Sequence, residues 1–192
     1  MFTPKRLNDS TYIGYGYGWF IVPHSRHVMI EHSGGFRTGF SSDIMQFPDI
    51  DLDVIVLSNQ WNGGISTFKI GSIADPGIKL VSDMQLKKDP DDKRTQMLTA
   101  IVKNVINSSG TNDNLGRKLF LGFMPEVIGR VLRGFEYLTY IDGLDMKTKP
   151  MSLYGETITR IIFYKTNVNA IKFLSAYYNN RGELVCLYPD GD

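Results

Sequence analysis

From Gly18 to Leu57 the chain alternates short apolar runs with turn residues. The runs GWFIV at 18–22, VMI at 28–30, SDIMQF at 42–47 and LDVIVL at 52–57 are of strand length and rich in β-branched and aromatic side chains. Pro23-His24-Ser25-Arg26-His27 reads as a hairpin loop, and Pro48-Asp49-Ile50-Asp51 as a turn. Residues 12–60 are therefore expected to form an antiparallel meander. From 65 to 83 the apolar positions Ile65, Phe68, Ile73, Ile78, Leu80 and Val81 fit a helix in part, with Pro76-Gly77 interrupting it.

Residues 87–94, KKDPDDKR, carry charge and no apolar side chain, and are read as a linker between a unit at 1–86 and a second at 95–192. Beyond it Met97, Leu98, Ile101, Val102, Val105 and Ile106 recur at helical spacing, predicting an amphipathic helix over 93–108 that ends at Asn107-Ser108-Ser109-Gly110. A further helix is expected within 112–134, where Pro125 suits a first turn. Strands follow at 135–141, 157–165, 170–178 and 183–188, the last two joined by the tight turn Asn179-Asn180-Arg181-Gly182. The fold class expected is α+β: a meander with a following helix, then a small α+β module with its own antiparallel sheet.

Composition adds mainly exclusions. The chain has 192 residues and 42% hydrophobic content, enough for one compact domain or two small ones. Its 21 basic and 20 acidic residues leave a formal charge of +1, with no basic stripe for nucleic acid. The lone Cys186 excludes an intramolecular disulfide and a cysteine-rich metal site, and is expected as a buried filler. Asp49, Asp51 and Asp53 alternate but lack the glycine and distal glutamate of a calcium loop. His24 and His27 are expected to be solvated, and no metal or other cofactor is called for. No run is long enough for a membrane span, and the start MFTPKRLNDSTY lacks a signal-peptide core, so the chain reads as soluble with no export address.

The segment IEHSGGFRTGFSS at 30–42 concentrates a histidine, three serines and three glycines between apolar runs. Together with Tyr15-Gly16-Tyr17-Gly18-Trp19, Phe47-Pro48-Asp49 and VIVLSNQ at 54–60, it resembles, in motif order, the C-terminal end of the serine β-lactamase-like family. That family groups class C β-lactamases, D-alanyl-D-alanine peptidases and related esterases. The resemblance covers about residues 1–85, and residues 93–192 look like the nuclear-transport-factor-like modules sometimes appended to such enzymes. It implies that His32-Ser33-Gly34-Gly35 lie on a cleft strand: His32 in the cationic or hydrogen-bonding position, Ser33 as the hydroxyl, Gly34 where a side chain would block substrate. The Gly35 N–H would be one of two oxyanion donors. It further implies a periplasmic or extracellular setting and an amide, lactam or ester substrate.

The family's nucleophile lies in Ser-x-x-Lys upstream of that strand, followed by Tyr-x-Asn. Here Ser66-Thr67-Phe68-Lys69 and Tyr178-Asn179-Asn180 match those patterns but follow His32, the second explained by its hairpin turn. The expectation is thus a serine hydrolase fragment, inactive alone, whose nucleophile is on missing N-terminal sequence. The alternative is a non-catalytic protein that binds a partner or ligand. Trp19, Phe20, Phe36 and Phe40 are read as core or cleft wall, since no basic residues interleave with them to make a stacking platform. An isolated meander is expected to leave Trp19, Phe20, Ile44, Ile55 and Leu57 partly exposed, or covered by the C-terminal module or a second copy.

Overall fold

The computed structural model describes residues 2–36, 39–59, 81–108, 116, 119–120 and 125–190. Among the described residues, antiparallel sheets and two α-helices give the mixed α+β class expected. Nearly all of the helix expected at 65–82 lies outside the described residues, as do Ser66 and Lys69; Val81–Asp83 form a single 3-10 turn.

Five strands make the meander: β3 (Tyr15–Gly16), β4 (Trp19–His24), β5 (His27–Phe36), β6 (Phe40–Phe47) and β7 (Leu52–Ser58), in that spatial order. They follow a two-strand ribbon of β1 (Lys5–Arg6) and β2 (Tyr12–Ile13). The β3–β4 turn places both Tyr17 and Gly18 at positive φ, 53° and 89°, the backbone that matches the right-handed twist of a two-residue hairpin. The register sets the core. Met29 lies opposite Val22, Met45 opposite Val54 and Phe47 opposite Leu52, so alternation brings Val22, Met29, Met45, Phe47 and Val54 onto one face as a buried cluster.

The second sheet runs β12 (Leu184–Asp190), β11 (Phe173–Asn179), β10 (Glu156–Thr166), β8 (Leu138–Asp145), with β9 (Met151–Leu153) also pairing β10. Both of its faces are covered, which explains the unbroken apolar run Ile161-Ile162-Phe163-Tyr164 in β10. Ile162, Tyr164, Leu174 and Ala176 pack with Leu98, Val102 and Val105 of α1 (Asp92–Asn107), and with Ile128 of α2 (Pro125–Val131). Ile161, Phe163 and Tyr177 face the other way, onto Val81 and Cys186, and Val28 of β5 packs against that cluster. Tyr188 packs against the cores of both sheets. Tyr154 Oη donates to the Ile21 carbonyl at 2.6 Å, a further tie across the seam.

Helix α1 starts one residue before its expected position because Asp91 caps it. The Asp91 carboxylate accepts the Arg94 N–H at 3.1 Å, satisfying one orphan donor of the first turn. Asp91→Ala should lower the unfolding free energy by about 1 kcal/mol, read as a reduced urea midpoint at unchanged slope. Nearby in the segment read as a linker, Lys87 pairs with Asp142 at 2.7 Å, and its backbone N–H bonds to the Ile141 carbonyl.

Three expectations are corrected. His24 and His27 are buried, 2% and 1% exposed, because the loop is only Ser25-Arg26, with Ser25 at φ 51°, and both rings pack against Phe47. Of the core-or-cleft-wall reading, the core half fails for Phe36 and Phe40, which are exposed, while Phe20 is partly exposed, as the isolated-meander expectation had it. Strand β9, only three residues long, escaped a reading that looked for longer runs. Ile55 and Leu57 are exposed as expected of an isolated meander, 63% and 80%, while Trp19 and Ile44 are half-buried. Cys186 is buried as expected, and burial pushes its thiol well above the ordinary value.

Candidate functional site

Gly34 and Gly35 do not break the strand. Strand β5 runs straight through the glycine-rich segment because each residue of 30–36 has a partner on β6: His32 opposite Ile44, Ser33 opposite Asp43, Gly34 opposite Ser42 and Gly35 opposite Ser41. The chain folds back at Gly39, φ 123°, whose N–H bonds to the Phe36 carbonyl. On the opposite edge, pairing with β4 ends at Phe20 opposite Glu31. Among the described residues, His32 to Phe36 are thus laddered on one edge only. Alternate N–H and C=O groups of that stretch project away from β6, where an extended chain can pair with them.

The four residues singled out by sequence do not share a face. Alternation puts His32 and Gly34 on one side with Ile44, Ser42 and Ile55, and Ser33 and Gly35 on the other with Asp43 and Ser41. All four are exposed. The His32 ring lies 6.1 Å, centroid to centroid, from that of Phe20, which also packs edge-on against Tyr15 at 4.9 Å. A side chain at Gly34 would be crowded: its Cβ would stand 2.9 Å from Ser42 Oγ. What the four have in common is therefore the open backbone edge.

Sequence reasoning missed Glu31 and Asp43. Glu31 precedes His32 and faces the core side of the sheet, diagonal to Asp43 through the Ser33 pairing. Burial, reinforced by the Asp43 carboxylate, pushes Glu31 up to about 7. Beside an open strand edge this is a group able to hold or release a proton near neutral pH. The signal available in the sequence was position alone: Glu31 shares a period-two stripe with His27 and Met29.

Tyr178-Asn179 serves the hairpin instead of a site. Both are buried, and the Asn179 side chain accepts the N–H groups of Arg181 and Glu183 and donates to the Glu156 and Glu183 carboxylates. Gly182, at φ 78°, completes the turn. Among the described residues no three of His, Cys, Asp and Glu are grouped to hold a metal ion, and no helix is long and apolar enough to cross a membrane. Compared with protein-family models, curated proteins and solved structures, the chain matches none.

Proposed function

We propose that the chain supplies one wall of a serine hydrolase cleft of the β-lactamase-like type, acting on an amide, lactam or ester. The observation that carries this reading is the one-sided pairing of His32 to Phe36, which offers exposed side chains and an open backbone edge to an extended substrate. In this reading His32 donates or exchanges a proton at the cleft, Ser33 offers a hydroxyl, and Gly34 keeps the approach clear. The Gly35 N–H stabilises the developing oxyanion. In this reading none of the chain's own serines, Ser66 included, is the nucleophile, which other sequence supplies. The second reading, a non-catalytic binding protein, draws on the exposed Phe36, Phe40, Ile55 and Leu57 of the same sheet.

The test is acylation by a fluorescent penicillin and a fluorophosphonate, applied to this chain and to the longest natural product of its gene. The chain alone should take no label. The longer product should label and hydrolyse nitrocefin or a p-nitrophenyl ester, with kcat reduced about 10²–10³-fold in Gly35→Pro, which deletes the N–H, provided circular dichroism shows the variant folded. Labelling of the chain itself that vanishes in Ser66→Ala would overturn the assignment of the nucleophile elsewhere. Absence of labelling in the longer product would leave the binding-protein reading.

A further inference from the structure

At the other end of β5 from His32, a cleft of about 570 Å³ opens between the meander and the second sheet. Its size falls in the roughly 300–1,000 Å³ range of small-molecule sites. Ile21 and Ile30 form its floor from one side and Met146 and Met151 from the other, all four buried. Two thioethers beside two branched chains make a surface that adapts to an unbranched apolar tail.

The mouth is polar. Asp49 and Asp145 are already engaged: Asp49 Oδ2 lies 2.7 Å from His27 Nδ1, and Asp145 Oδ1 accepts the Lys147 N–H at 2.9 Å. Arg26 and Lys149 also line the cleft, and both are exposed. Neither takes part in an ion pair or side-chain hydrogen bond among the described residues. The cleft thus combines a buried aliphatic and thioether floor with two uncommitted cations at its rim. We infer that it binds a free monocarboxylate with an unbranched alkyl tail, the tail on the floor and the head group met by Arg26 and Lys149. The site is independent of the hydrolase reading, since none of its residues belongs to the His32–Gly35 stretch.

Isothermal titration with octanoate and decanoate, each kept below its micelle concentration, tests the assignment, with decanol and decyltrimethylammonium as charge controls. Saturable one-to-one binding is expected, tightening about fourfold per added methylene. The double variant Arg26→Gln with Lys149→Gln should weaken decanoate about tenfold and leave decanol unchanged. Met151→Trp should abolish binding of both by filling the floor. Ser152→Trp, at an exposed rim position, gives the same steric block without touching the core, so a folding defect in the first variant does not blur the result. The inference is overturned if decanoate shows no saturable binding or the cationic control binds as tightly. Retention of affinity in the double variant or in Ser152→Trp overturns it too.

Discussion

Glu31→Gln is expected to stabilise the protein by about 1–3 kcal/mol at about pH 8 and to flatten its stability profile between pH 4.5 and 7. The carboxyl is raised from 4.5 to about 7, first by burial and then by Asp43. Between those values the folded state binds a proton that the unfolded state has released. Unfolding free energy therefore falls as pH rises through that window, and the full cost is present above about 7. A fully shielded group would cost about 3 kcal/mol; Glu31 keeps some solvent contact, so the lower part of the range is included. Glutamine keeps the shape and removes the charge. Urea midpoints taken across the pH series should converge for the two proteins below pH 4.5, and a wild-type profile that is flat from 4.5 to 7 would show that the carboxyl is not shifted.

Leu174→Ala should be a severely damaging truncation in the second sheet, costing about 2–5 kcal/mol. Leu174 is fully buried on β11, in the cluster that joins the sheet to α1, and its backbone is paired on both sides, to Tyr164 of β10 and Pro189 of β12. The space left by the side chain cannot close without moving a ladder. The same change at Leu57, 80% exposed on β7, should alter stability by less than about 0.5 kcal/mol. Chemical denaturation of the two variants side by side checks the contrast; equal losses would mean that Leu57 is covered in solution.

The meander was readable because its strands alternate and its turns carry proline, aspartate and glycine. Strand β5 was the exception: the apolar run VMI showed only at 28–30, and it was the resemblance alone that put Gly34-Gly35 on a strand. Glycine is a poor strand former on its own. Here a full ladder with β6 outweighs that preference, and β6 is too far along the chain for local propensity to register it. His24 and His27 failed for a related reason, since they flank a two-residue turn and their burial depends on Phe47, some twenty positions away. The motif drew attention to His32 through Gly35, while the acidic neighbours Glu31 and Asp43 belonged to no motif. Their proximity exists only once β5 and β6 are in register.

The seam between the sheets has a kinetic consequence. Within the meander each strand pairs with its neighbour in the chain, and in the second sheet the β10–β8 pairing only steps over the short β9. Loops that small close at little entropic cost, so each sheet can assemble by itself. The Tyr154–Ile21 hydrogen bond, by contrast, joins residues 133 positions apart. During synthesis β3 to β7 have left the ribosome before the strands of the second sheet, and among the described residues the surface of Ile21, Val28 and Ile30 that meets that sheet waits for β9 and β12. The nascent chain therefore passes through an interval in which half of its seam is built and waiting, the stage at which a chaperone has an apolar surface to hold.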